Sequence, residues 1–309
     1  MKLITEVNVE KSALNLSHKN RFLLLGSCFS QNIGEKLACG GFETLINPFG
    51  TMFNPHSIAE SLLYISGLRD FCEEDVIQNG DIFKLISCHG DVFGYSKKEV
   101  LDNAALRRDN ARKFLDNNTI IVITLGTAWL YTYTPLGKVM ANCHKIDSKL
   151  ISRRMMSVSE IVKALSDAVK QLKTICKCEI IFTVSPVRHK EGYRDNLLSK
   201  SALHLAVNEA VKSLSADYFP AYEIVFDQLR DYRFYSEDLL HPNNLAIAVI
   251  WEKFAATYFD RSTQDLCRKC EKLYAMLNHR PLYADSLEYK QHQERANQLR
   301  QEIDAALGR

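Results

Sequence analysis

The sequence predicts an α/β protein: a three-layer α/β/α sandwich around a central, mostly parallel sheet of five strands. Short apolar runs rich in β-branched residues alternate with segments whose apolar residues recur at helical spacing. A polar segment with reactive side chains follows the runs, as at the carboxyl edge of a doubly wound sheet. With 309 residues, 46% of them hydrophobic, the chain is long enough for one large core.

The predicted strands are short apolar or β-branched runs, which are typical of buried parallel strands. They are residues 22–25, 42–46, 120–125, 179–184 and 222–226.

Helical patterns lie between these strands, and several have recognisable ends. Residues 30–41 end in a glycine pair that suits a helix C-terminus, and residues 54–67 begin with Asn-Pro. Residues 157–175 begin with Ser157, or with Ser159 as the alternative N-cap. Two further helices are predicted at residues 199–216 and 243–259.

The chain is expected to divide near residue 260. Residues 1–260 hold the predicted sandwich, which is followed by a charged helical extension over residues 261–309. This extension has few apolar anchors, which indicates a solvated helical appendage, with an interaction arm as the alternative.

Composition and charge narrow the functional class. A net charge of +2 gives no electrostatic case for nucleic-acid or membrane binding. No apolar run approaches the roughly 18 residues of a membrane-spanning helix, and the first residues lack the apolar core of a signal peptide. The nine cysteines, an odd number, favour reduced thiols and a cytoplasmic location. The oligomeric state is not predicted.

Two nucleophiles stand side by side directly after the first predicted strand. Gly26 permits a tight turn there, and Ser27 and Cys28 follow it. A side chain at such a strand-to-helix turn is exposed at the sheet edge, where the next amides can bind an oxyanion. Alone, the same three residues also suit a simple connecting turn.

A candidate acid–base pair occurs near the end of the predicted sandwich. Asp238 and His241 are three residues apart in the segment SEDLLHPN. A carboxylate bonded to one imidazole nitrogen fixes the tautomer and leaves the other nitrogen free as a base.

Together, LLLGSCFS, INPFG, ITLGTAW and DLLHP resemble the four sequence blocks of the SGNH/GDSL hydrolase superfamily. More narrowly, the chain resembles the GSCFA family over about residues 20–260, since NPFG, TLGTAW, NCHK, SPVRH and LHP match its landmarks. The resemblance implies acyl-ester hydrolase or acyltransferase chemistry on a flavodoxin-like sheet. It also assigns Gly50, with Asn47 of the same block, to oxyanion and substrate binding.

Two positions depart from the superfamily pattern. Alignment by position places Cys28 on the nucleophile, whereas alignment by residue type favours Ser27, so both stay candidates. The Asn expected in the third block is replaced by Ala128, whose methyl group cannot donate to an oxyanion. Asn142 and His144 of the segment ANCHK are candidate substitutes for that donor.

The segment SPVRH after the fourth strand offers further binding residues. Arg188 can bind a carboxylate or phosphate of a substrate, and His189 is expected at the same sheet edge. We expect no cofactor, since no nucleotide-binding glycine pattern is present. We also expect no metal, because the Cys-x-x-Cys pair at residues 267–270 has no second pair at zinc-ligand spacing.

The leading hypothesis is therefore a hydrolase or acyltransferase that acts on a small-molecule or glycan acyl ester. The alternative is a non-catalytic module that binds a glycan or acyl ligand on a hydrolase fold, which the substitution at Ala128 favours.

Overall fold

The computed structural model describes residues 5–188 and 192–308, and it is built around a five-stranded parallel sheet. The strands of this sheet are β1 (Arg21–Gly26), β2 (Glu43–Ile46), β6 (Thr119–Leu125), β10 (Glu179–Val184) and β11 (Asp217–Tyr218). Their spatial order is β11-β10-β6-β1-β2.

Two smaller antiparallel sheets are inserted into this framework, and the sequence pattern did not predict them. One consists of β3 (Val76–Asn79), β4 (Ile82–Leu85) and β5 (Phe93–Gly94). The other consists of β7 (Trp129–Tyr133), β8 (Lys138–Met140) and β9 (Ile151–Met155).

Helices cover both faces of the central sheet. The helices of the described residues are α1 (Cys28–Cys39), α2 (Pro55–Ser66), α3 (Lys97–Phe114), α4 (Val158–Leu172), α5 (Tyr193–Leu214), α6 (Ala221–Glu223), α7 (Asn244–Tyr258), α8 (Arg261–Leu277) and α9 (Leu287–Leu307).

The strands show why two layers of helices are needed. Leu23 and Leu25 of β1 pack into the core shared with α2, α3, α4 and α5, whereas Phe22 and Leu24 pack into the core shared with α1 and α7. Successive side chains of a strand point to opposite faces, so a strand that is apolar throughout must be covered on both sides. The predicted three-layer α/β/α architecture is confirmed.

The helix ends follow the predicted capping chemistry. The Ser157 hydroxyl accepts a hydrogen bond from the Glu160 amide, while the Glu160 carboxylate accepts one from the Ser157 amide, which forms a capping box. Ser157 is therefore the N-cap of α4. Asn54 caps α2 through its side-chain oxygen, and Pro55 occupies the first helical position.

The strand predicted at residues 222–226 is wrong. This segment continues α6 into a π-helical turn, Ile224–Gln228, and the fifth strand is instead the short β11. Ala221, Ile224 and Val225 are buried at helical spacing in the core beneath α7. A short apolar run with two β-branched residues fits a strand and a buried helical turn equally, so periodicity alone gave the wrong choice.

The C-terminal segment is helical, as predicted. Asp260 caps α8, and the buried Cys267 and Cys270 attach this helix to the main body near Gly40 and Gly41 of the turn after α1. The long helix α9 packs against α8 and buries little beyond Ala296 and Ile303. In the part of the chain that the structure describes, no helix combines the length and apolarity that a membrane crossing requires.

Candidate active site

The GSC segment forms a tight turn between β1 and α1. Gly26 ends the strand with a φ of 138°, and a Cβ at this position would overlap the carbonyl oxygen of Thr124 in β6. Glycine is therefore required for the two strand ends to lie this close. Ser27 is the N-cap of α1 and Cys28 its first residue, which places the thiol at the positive end of a helix.

The two candidate nucleophiles have different environments. Ser27 is 1% exposed; its hydroxyl donates to Ser185 Oγ at 3.0 Å and accepts from the Phe29 amide at 3.3 Å. Cys28 is partly exposed and lines a cavity at the carboxyl edge of the sheet, whereas Ser27 is not among the described lining residues. The geometry thus favours Cys28, with Ser27 as a structural residue of the turn.

The predicted Asp238–His241 pair forms. Asp238 Oδ2 lies 2.6 Å from Nδ1 of His241, and Asp238 Oδ1 accepts from the amides of Leu240 and His241. These amides and the imidazole hold the pKa of the Asp238 carboxyl well below its usual range, so it remains ionised. The ring of His241 lines the same cavity as Cys28, with Nε2 left for proton transfer.

The pKa of the Cys28 thiol is set by opposing influences. Burial raises it, because a thiolate loses solvation. The amides of Cys28 and Phe29 and the positive charge of Lys200 act in the opposite direction. The thiol is therefore the resting form near neutral pH. A base is needed to activate it, and the helix N-terminus and Lys200 then stabilise the resulting thiolate.

Lys200 is a site residue that the sequence reasoning missed. It lies on α5, is 1% exposed, and its Nζ donates to the carbonyl oxygens of Gly126 and Ser185 at 2.7 Å each. Burial lowers its pKa to about 7, and the negative charge of an ionised Cys28 opposes this shift. The signal was present in the sequence: Lys200 stands on the apolar stripe of α5, four residues after Asn196 and three before Leu203, which are also buried.

The residues of the second block have roles in the turn rather than in the cavity. The Asn47 side-chain oxygen accepts from the Gly26 amide at 2.9 Å, which ties the end of β2 to the end of β1. The Gly50 amide donates to the Asn47 carbonyl at 2.7 Å, with a φ of 82° at Gly50. The expected role of the Gly50 amide as an oxyanion donor is corrected, because this hydrogen is already used inside the turn.

Asn54 lies close to the third block, in which Ala128 replaces the expected Asn. Ala128 is buried and its amide donates to Ser199 Oγ at 2.7 Å, so it offers nothing to a ligand. The Phe53 carbonyl accepts from the amides of Gly126 and Thr127, which places Asn54, four residues after the second block, against the third. Asn54 lines the cavity, and its Oδ1 is used in capping α2, which leaves its side-chain NH₂ group as the available donor. The sequence reasoning had identified Asn54 only as a helix start.

A cavity of about 500 Å³ joins these groups. The ends of four parallel strands and the loop before α7 contribute one part of its wall, and the small antiparallel sheets contribute the rest. Its lining residues are Cys28, Thr51, Phe53, Asn54, His89, Thr127, Trp129, Tyr131, Met140, Ala141, Asn142, Cys143, Val187, Arg188, Leu240 and His241.

Of the remaining predicted site residues, some line the cavity and others do not. Asn142 lines the cavity, and its side-chain oxygen accepts from the His144 amide at 3.1 Å. His144 is 2% exposed, both ring nitrogens lack a hydrogen-bond partner, and burial lowers its pKa to about 4. It is thus a neutral, buried imidazole and is not one of the described lining residues. Arg188 lines the cavity, and its guanidinium lies 5.3 Å from the ring centre of Tyr193. The predicted site residue His189 lies outside the described residues.

Comparison with known proteins identifies the family of this chain. A search of curated protein sequences finds no match. The sequence model of the GSCFA family matches residues 21–254, which is more than half of the chain. The matched range includes Cys28, Asp238, His241 and the other cavity residues described above. The chain belongs to the GSCFA family.

Proposed function

We propose that this cavity is the active site of an acyl-ester hydrolase or acyltransferase of the SGNH type with a cysteine nucleophile. One observation carries the proposal. Cys28, at the N-terminus of α1, shares a cavity with an imidazole whose Nδ1 is bonded to a carboxylate. This is the arrangement of nucleophile, base and orienting group used in covalent acyl transfer.

The proposed reaction proceeds in two steps. His241 Nε2 takes the thiol proton of Cys28, and the sulfur attacks the ester carbonyl carbon. The carbon–oxygen bond to the alcohol breaks, and His241 returns the proton to the leaving alcohol, which leaves a thioester on Cys28. In the second step His241 Nε2 takes a proton from a water or an acceptor hydroxyl, whose oxygen attacks the thioester carbon. The carbon–sulfur bond breaks, Cys28 leaves as thiolate, and His241 returns the proton to it. Asp238 fixes the tautomer of His241 throughout.

The oxyanion of each tetrahedral intermediate needs donors near the attacked carbon. The first-turn amide of Cys28 and the side-chain NH₂ group of Asn54 are suited to this role, because both lie at the edge where β1 and β6 end. Asn54 thereby compensates for Ala128. This proposed pair of donors is our argument against the alternative, a non-catalytic binding module, which rests mainly on the substitution at Ala128.

The lining supports an ester with an apolar portion and an anionic group. Trp129, Tyr131 and Met140 form an apolar wall. Arg188 carries a positive charge beside it, and its Nε is buried without a hydrogen-bond partner, a site that a carboxylate or phosphate would satisfy. We further propose a cytoplasmic location, because all nine cysteines are free thiols.

The test is turnover of short p-nitrophenyl esters by single variants. We expect Cys28→Ala and His241→Ala to lose turnover by at least about 1,000-fold, while Ser27→Ala retains most of it. Mass spectrometry of the wild-type protein after mixing with ester should show one acyl group on Cys28. Retained turnover in His241→Ala would remove the proposed base. Ligand binding without Cys28-dependent turnover would support the binding module instead.

A further inference from the structure

A second imidazole–carboxylate pair faces the same cavity. His89 Nδ1 lies 2.7 Å from Asp91 Oδ1, and the ring of His89 lines the cavity with its side chain 33% exposed. The hydrogen bond from His89 lowers the pKa of the Asp91 carboxyl, so the carboxylate stays ionised beside the ring. This is the arrangement of Asp238 and His241 repeated in a different loop: a carboxylate on Nδ1 and a free Nε2.

The fold holds this second pair in place. The His89 amide donates to the Phe49 carbonyl at 2.9 Å, and the Val92 amide closes a turn onto the His89 carbonyl at 3.0 Å. Gly50 lies directly beneath the pair: a Cβ there would overlap both the Cβ of His89 and the Oδ1 of Asp91. Gly50 of the second block thus makes room for the His89–Asp91 pair. This packing explains why a glycine stands at this position, which the expected oxyanion role does not explain.

The second pair lies in a part of the cavity built by inserted elements. His89 belongs to the loop between β4 and β5, and Asn142 and Cys143 follow β8. Cys28 and His241 instead belong to the edge of the central sheet. Residues of the insertions and residues of the sheet edge therefore line the same cavity of about 500 Å³. Ligand cavities of this size hold more than a short acyl group.

Hydrolysis does not require this second pair. His241 alone can take the thiol proton, return it to the leaving alcohol and then activate water. A second base is useful when the acyl group passes to another substrate that brings its own proton to be removed. Imidazole Nε2 and the Asn142 amide can both bond to hydroxyl groups, which suits a polyhydroxylated acceptor.

We propose that His89, oriented by Asp91, is the general base for an alcohol acceptor, so that the protein transfers acyl groups rather than hydrolysing them. The inference rests on the proposed acyl chemistry at Cys28. In the transfer step the acceptor O–H gives its proton to His89 Nε2 and its oxygen attacks the thioester carbon. The carbon–sulfur bond breaks, Cys28 leaves as thiolate, and solvent exchanges the protons that restore His89 and Cys28.

The experiment measures how the acyl-enzyme partitions. Wild-type protein is mixed with p-nitrophenyl acetate and either glycerol or methyl α-glucoside, and acetylated acceptor and acetic acid are quantified by mass spectrometry. We expect acetylated acceptor from the wild type. The ratio of acetylated acceptor to acetic acid should fall about 100-fold in His89→Gln, because a general base is lost. Asp91→Asn should lower the ratio too, since it favours the wrong tautomer of His89.

A matched control is His279→Gln, which changes an exposed imidazole at the end of α8 and should keep the wild-type ratio. An initial burst of p-nitrophenol with no acetylated acceptor, or an unchanged ratio in His89→Gln, overturns the acceptor role while leaving the chemistry at Cys28 intact. Absence of a Cys28-dependent burst overturns the acyl chemistry and the acceptor role with it.

Discussion

The buried Lys200 is expected to make the free energy of unfolding of this protein increase with pH above about pH 7. Lys200 is 1% exposed and its pKa is lowered from 10.5 to about 7 by burial. Lys200→Met removes the titrating group and keeps most of the side-chain volume. It also leaves the carbonyl oxygens of Gly126 and Ser185 without their donor, at a cost of about 1–3 kcal/mol each.

The direction in which stability changes with pH follows from the number of protons bound by the folded and the unfolded chain. Between the folded pKa of about 7 and the unfolded value of 10.5, the unfolded chain holds a proton on Lys200 that the folded protein has released. Stability therefore rises with pH over this window, and below pH 7 the full cost of burying the charge is present. At about 1.4 kcal/mol per pKa unit, the contribution of Lys200 to the free energy of unfolding rises by about 3 kcal/mol from pH 6 to pH 9.

The assay is urea unfolding of wild type and Lys200→Met at pH 6, 7.5 and 9. Subtracting the two curves removes the titration of all other groups. We expect the free energy of unfolding of the wild type, relative to that of Lys200→Met, to increase by about 3 kcal/mol from pH 6 to pH 9. Lys212→Met, an exposed lysine on the same helix, should run parallel to wild type. A Lys200→Met curve parallel to wild type would refute the argument that burial of Lys200 releases its proton near neutral pH.

Three further changes test the site. Asn54→Ser keeps a good N-cap for α2 but removes the side-chain NH₂ group, so kcat for ester turnover should fall about 100-fold with the melting temperature nearly unchanged; an unaffected kcat would exclude Asn54 as an oxyanion donor. Asp238→Asn should lower kcat by up to about 10⁴-fold, because its amide favours the wrong tautomer of His241; a loss under about tenfold would contradict the orienting role. Gly50→Ala should cost at least about 2 kcal/mol in unfolding free energy, whereas Gly80→Ala, also at positive φ but in open space, should cost about 1 kcal/mol; equal losses would contradict the packing of Gly50 against His89.

The sequence predicts the parts of this protein that depend on local pattern. Strands β1, β6 and β10 of the central sheet are buried over most of their length, so each reads as a nearly unbroken apolar run. The pairing of Asp238 with His241 is also local, because three residues of chain and two backbone amides bring the carboxylate to the ring. The cap at Ser157 follows for the same reason.

Residues that meet only through the fold escaped prediction. Lys200 reaches the site from the middle of a helix that the sequence reasoning treated as ordinary, and His89 belongs to an insertion whose short strands carry little periodic signal. The choice between Ser27 and Cys28 depends on which side chain the turn buries. A shift of the turn by one residue would exchange the buried and the exposed side chain. No local pattern contains that information, because Ser185, the partner of Ser27, lies 158 residues away.

The environment of Cys28 explains why a cysteine suits this turn. Burial raises the pKa of the Cys28 thiol, and the same burial lowers the pKa of Lys200, so both groups tend to be neutral at rest. Each charge favours the other: an ionised sulfur raises the proton affinity of Lys200, and a protonated Lys200 lowers the pKa of Cys28. Formation of the thiolate is thus coupled to protonation of Lys200. A serine hydroxyl at the same position would not ionise near neutral pH. The buried lysine would then have no neighbouring negative charge at that position to raise its pKa.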